Sequence, residues 1–67
     1  MSKQPVRIKK RDKEYEVRPG MTLGAALTKL SILPETVLAT RNGVLIVEDE
    51  IIQEGETIIL IDVISGG

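Results

Sequence analysis

The sequence predicts an α+β fold: a mixed sheet of four or five strands crossed by a single helix. Three observations carry that reading. Two stretches, "PVRIKKRDKEYEVRPG" and "TVLATRNGVLIV", hold paired apolar runs around turn signals. Between them, "TLGAALTKL" repeats its apolar residues at helical spacing, and near the end "TIILIDV" is a β-branched, continuously apolar run.

Each element can be justified in order. Val6 and Ile8 alternate with Arg7 and Lys9, and Tyr15 and Val17 alternate with Glu14, Glu16 and Arg18. A period of two turns one apolar face of each strand inward. Lys10 to Lys13 supply the polar turn, to which Asp12 is suited, and Pro19-Gly20 breaks the second strand. Thr22 is placed to cap a helix, because its hydroxyl can accept from free backbone N–H groups. Leu23, Ala26, Leu27 and Leu30 then fall at i, i+3, i+4 and i+7, one stripe of small and medium residues. Gly24 weakens that helix by about 1 kcal/mol relative to alanine, so packing must hold it. Pro34 drives Leu33 toward an extended conformation and closes the unit. Asn42-Gly43 marks the second hairpin, since both residues accept positive φ. "EDEIIQEGET" is a polar connector in which Ile51 and Ile52 are expected to tuck back as anchors, with Gly55 at a turn.

The final strand is expected to run through the middle of the sheet, beside the first. One helix covers only one face, so a strand apolar on both sides should leave an exposed apolar patch, the kind of surface that docks partners. The alternative is that the Ile51-Ile52 connector folds over it. Residues 1–64 are expected to form one domain, and 65–67 a flexible tail.

Composition excludes several functions. Sixty-seven residues bury only about 60% of the surface of the unfolded chain, which leaves no room for a deep catalytic cavity. The chain has no histidine and no cysteine. The usual general base at neutral pH, thiol nucleophiles, zinc sites and disulfides are all excluded. No nucleophile–base pair can be assembled, so the chain is not expected to be an enzyme. No signal-peptide pattern opens it, and no run approaches the ~20 apolar residues of a membrane span, so a cytoplasmic location is expected. Charge is segregated: residues 1–30 carry eight Lys/Arg and three Asp/Glu, whereas residues 31–67 carry one Arg and seven acids. That asymmetry fits either an ordinary solvated surface or two faces with different partners. The single aromatic, Tyr15, cannot build a base-stacking platform.

The element order, together with "RNGVLI", "QEGETIIL" and the terminal "ISGG", resembles the ubiquitin-like β-grasp sulfur carriers of the ThiS/MoaD type. These act in the thiamin and molybdopterin pathways and share a design with the ubiquitin-like modifiers. The resemblance covers nearly the whole chain from Val6 onward, and the length favours the thiamin type. Departures are Gly55-Glu56 for the family's frequent Gly-Asp, and Ile59 to Ile61 where the last strand commonly carries an aromatic. A further departure is Ile46-Val47 followed by Glu48-Asp49-Glu50, where a Pro-Arg pair usually follows the Asn-Gly turn.

The resemblance implies a β-grasp fold and a role as protein cosubstrate. An activating adenylyltransferase of the ubiquitin-activating kind would use ATP to adenylate the carboxylate of Gly67. A sulfur donor enzyme would convert it to a thiocarboxylate, and an acceptor synthase would take the sulfur, in thiamin (thiazole) biosynthesis. The chain itself would bind no cofactor and no metal. Gly66 would accompany Gly67 through the enzyme's channel, with Ile64 and Ser65 as the stem. Leu45, Ile59 and Ile61 would lie on the open face that docks on the activating enzyme. Strand parity leaves this partly open, because Ile58 and Leu60 share a face with charged Glu56 and Asp62.

The chemistry suits the residues. An α-carboxylate, with a pKa of about 3.3–3.7, is ionised at neutral pH and can attack the α-phosphate of ATP. Sulfur held on a backbone terminus escapes the exchange that scrambles thiols. Glycine lets the end thread a narrow channel, where a Cβ would obstruct the approach. Other readings are a ubiquitin-like modifier conjugated through Gly67, and a carrier for molybdopterin or tRNA thiolation. A third class is a nucleic-acid module using Lys9, Lys10, Arg11 and Lys13, against which the missing aromatics argue. The chain is expected to be a monomer with no membrane partner.

Overall fold

Alternating apolar and charged side chains build the first hairpin as expected. In the computed structural model, which describes residues 4–63, β1 spans Val6–Lys10 and β2 spans Lys13–Val17. Val6 pairs with Val17 and Lys10 with Lys13, so the ladder reaches both ends of the predicted turn. Only Arg11 and Asp12 make the turn, and Arg11 takes the left-handed φ of 58°. The expected four-residue turn is thus corrected to two residues.

Helix α1, Leu23–Lys29, lies on one face of the sheet and buries Leu23, Ala26 and Leu27. The N–H groups of its first turn are all satisfied, which a buried helix start requires. Thr22 Oγ1 accepts from the Ala25 N–H at 3.1 Å. The Leu23 and Gly24 N–H groups donate to the Glu50 and Glu48 carbonyls at 2.8 and 3.0 Å. Those carbonyls belong to the acidic run after β4, so the Glu48-Asp49-Glu50 segment seats the helix. The close approach also accounts for Gly24, because a Cβ there would stand 3.3 Å from the Glu48 Cβ.

Leu33 is extended ahead of Pro34, as expected. A single 3₁₀ turn at Pro34–Thr36 follows and displaces the start of the next strand to Val37. Strands β3, Val37–Arg41, and β4, Val44–Ile46, are joined by Asn42 and Gly43 at φ of 56° and 79°. Both values are positive, which is the geometry that selects Asn-Gly.

Strand β5, Thr57–Asp62, occupies the centre of a five-stranded sheet of order β2-β1-β5-β3-β4. It is parallel to β1 and antiparallel to β3, so the sheet is mixed. The helix supplies the crossover that the parallel β1–β5 relation demands. Fold and topology are those of the β-grasp α+β class. The core lies between α1 and the covered face, built from Val6, Ile8, Val17, Leu23, Leu27, Val37, Ile52, Ile58 and Leu60. Of the two expected anchors, only Ile52 is buried, between the Gly20 N–H and the Met21 carbonyl. Ile51 bridges Thr22 but stays exposed, which corrects that expectation. No buried side-chain polar atom lacks a partner among the described residues.

Candidate functional site

Strand β5 is apolar on both faces, but its two faces meet different surroundings. Ile58 and Leu60 point under the helix and are 0% and 3% exposed. Ile59 and Ile61 point the other way and are 46% and 50% exposed. The face of Ile58 and Leu60 also carries Glu56 and Asp62, the parity conflict left open by the sequence. Both charges resolve it by sitting at the margins of the covered area, paired to cations. Glu56 Oε1 lies 3.4 Å from Arg41 Nη1 and also accepts from the Gln53 N–H at 2.8 Å. Asp62 faces Lys10 at 3.5 Å and Arg11 at 2.6 Å.

The ladder brings further residues onto the open face. Leu38 stands opposite Ile61, and Thr40 opposite both Ile59 and Leu45. Thr40 Oγ1 donates to the Ile59 carbonyl at 3.3 Å. Leu38, Leu45, Ile59 and Ile61 therefore form one exposed apolar surface across three strands. The connector does not cover it, since Ile52 is buried on the helix side. Toward β1 the patch is bordered by Lys9, opposite Ile59, and Arg7, opposite Thr57. Arg7 is in turn 3.6 Å from Glu14 of β2. All three residues expected on this face by resemblance, Leu45, Ile59 and Ile61, are there. Leu38 went unassigned, although alternation with buried Val37 and Ala39 carries its signal.

The far end of β5 is held on two sides. Asp62 is gripped by the hairpin cations, and the Val63 N–H donates to the Thr36 carbonyl at 3.0 Å. Beyond this root, Ile64, Ser65, Gly66 and Gly67, the stem and reacting end expected from the sequence, lie outside the described residues.

At the opposite end of the sheet, Arg41 joins Glu50 at 3.0 Å and Glu56, tying the connector to β3. Its hydrogen bond to Glu50 is the chief cause of a pKa raised above the ordinary guanidinium value. This cluster serves the fold. Among the described residues no group of metal-ligating side chains comes together. The open face offers the apolar patch and the Thr40 hydroxyl, bordered by Thr57, Arg7, Lys9 and Glu14, an arrangement that suits the binding of a partner. No helix is long and apolar enough to cross a membrane.

Residues 3–67 match the ThiS family. Among solved structures, the ubiquitin of Caldiarchaeum subterraneum is similar at 25% identity and a TM-score of 0.67. That likeness covers 98% of this chain and 100% of the other. Order of elements, open apolar face and family match agree over nearly the whole length, and the chain belongs to the ThiS family, ubiquitin-like sulfur carriers of the ThiS/MoaD type.

Proposed function

We propose that this protein carries sulfur as a thiocarboxylate on Gly67, for thiamin (thiazole) biosynthesis. The observation that carries the reading is the family match, which runs through Gly67 itself. Leu45, Ile59 and Ile61, joined by Leu38, dock on an activating adenylyltransferase. Ile64, Ser65 and Gly66 thread its channel. The Gly67 carboxylate attacks the α-phosphate of the enzyme's ATP, and pyrophosphate leaves. Hydrosulfide delivered by the donor enzyme then attacks the acyl carbon; AMP leaves with the carboxyl oxygen, and the S–H proton passes to solvent to leave the thiocarboxylate. The carrier contributes no acid, base or metal; it contributes an ionised end and a handle. An acceptor synthase takes the sulfur, and the protein works as a cytoplasmic monomer.

The full-length likeness to an archaeal ubiquitin favours a second reading, in which the activated Gly67 is transferred to a lysine of another protein. Molybdopterin and tRNA thiolation are alternative sulfur recipients. One experiment separates the sulfur carrier from the modifier. The protein is incubated with its host's activating enzyme, ATP and a sulfur donor, and its intact mass is measured. A gain equal to one oxygen replaced by sulfur is expected. Ligation to cellular proteins instead assigns the modifier role, and no change with a competent enzyme overturns both.

A further inference from the structure

A groove of about 470 Å³ lies beside the root of β5, on the sheet face opposite the apolar patch. Its lining includes Lys10, Arg11, Asp12, Lys13, Asp62 and Val63. Lys10 and Asp62 share the parity of Ile8 and Leu60, but the helix does not reach this far. Lys10 and Arg11 are paired with Asp62, while Lys13 has no ion pair among the described residues. Three cations against the two carboxylates of Asp12 and Asp62 leave the groove with a surplus of one positive charge.

Arg11 is the unusual member. It occupies a left-handed turn position, where glycine or asparagine is favoured and a long side chain is uncommon. Its Nε is bound to Asp62, yet the side chain remains 78% exposed. A guanidinium held by Nε keeps its two terminal nitrogens free for a second carboxylate.

We infer that this cationic groove is a second docking surface, which takes a carboxylate-bearing rim beside the channel of the activating enzyme. The inference rests on the reading of Gly67 as the reacting end. Gly67 stands four positions beyond Val63 in the sequence, a separation that the chain can span by at most about 14 Å. An enzyme that closes around Gly67 therefore works within reach of the groove wall that Val63 forms. The tail root is then gripped from both faces of the sheet, by hydrocarbon on one and by charge on the other.

The test is the kinetics of ATP–pyrophosphate exchange by the host's activating enzyme, with the wild-type chain and the double variant R11G/K13A. Glycine suits the φ of residue 11, so a thermal melt of the variant should stay close to wild type. The KM for the carrier should rise about tenfold at low salt with kcat unchanged, as loss of rim charges slows encounter. The difference should shrink at high salt, where charges are screened. Equal KM values at low salt, with wild type active, overturn this inference alone. A wild-type chain that is never adenylated overturns the function and this inference together. Single-stranded RNA bound by wild type and released by the variant, with KM unmoved, assigns the cations to nucleic acid and also overturns it.

Discussion

Single residues divide sharply into those that hold the fold and those that face outward. Neighbours on β5 make the point. Ile58 is fully buried under the helix, so Ile58→Ala should cost about 2–5 kcal/mol, read as a shift in the urea midpoint. Ile59, one residue on, is exposed, and Ile59→Thr keeps the β-branch. That change should alter stability by no more than about 0.5 kcal/mol while raising the KM for the activating enzyme. Were both variants to destabilise equally, the open face would be part of the core. Gly67→Ala belongs with Ile59→Thr: adenylation should collapse, because a Cβ obstructs the channel, while the melting temperature stays put. Adding one residue after Gly67 should be as harmful, since it displaces the reacting carboxylate.

Elements in this protein depend on contacts that cross between them. Helix α1 is two turns long, too short to persist alone in water. Its first N–H groups find the Thr22 hydroxyl and two carbonyls of the acidic loop, and its apolar stripe finds the sheet. Thr22→Ala leaves the Ala25 N–H without its acceptor and should cost about 1 kcal/mol, measured by urea unfolding. Gly43 tests the second hairpin differently. A Cβ there would meet nothing within 4 Å, so any penalty is purely one of backbone conformation. Gly43→Ala should destabilise by about 1–2 kcal/mol through its left-handed φ.

The whole molecule joins a small core to one uncovered sheet face, and its charges are divided by role. Among the acids of the second half, Glu50 and Glu56 engage Arg41, and Asp62 engages the hairpin cations. The basic first half supplies the border of the patch and the groove at the tail root. No side chain of this sequence has an ordinary pKa near neutrality, and that of Arg41 moves upward, away from it. A group whose folded pKa is raised keeps its stabilising effect at all pH values below its ordinary pKa and loses it only as pH climbs through the raised one. Arg41 is therefore fully engaged at neutral pH, and the melting temperature should be flat between about pH 6 and pH 8. A clear slope in that window would show a titrating group that the fold does not account for.

The linear order of residues by itself determined most of the fold. Alternation in β1 and β2, the Thr22 cap, the Leu23-Ala26-Leu27 stripe, the Asn42-Gly43 turn and the doubly apolar β5 are local patterns, and local sterics and periodicity are enough to read them. The likeness of "ISGG" and its neighbours to a known family supplied the expected Leu45, Ile59 and Ile61. Only the tertiary structure decided which parity of β5 faces the helix, because period-two alternation has two equivalent phases and Glu56 and Asp62 pointed to the wrong one. It also decided that Leu38 completes the patch, that Ile51 stays outside while Ile52 anchors, and that the acidic loop seats the helix. Each of these depends on which strand lies beside which, a choice made by burial across long sequence separations and invisible in any short window.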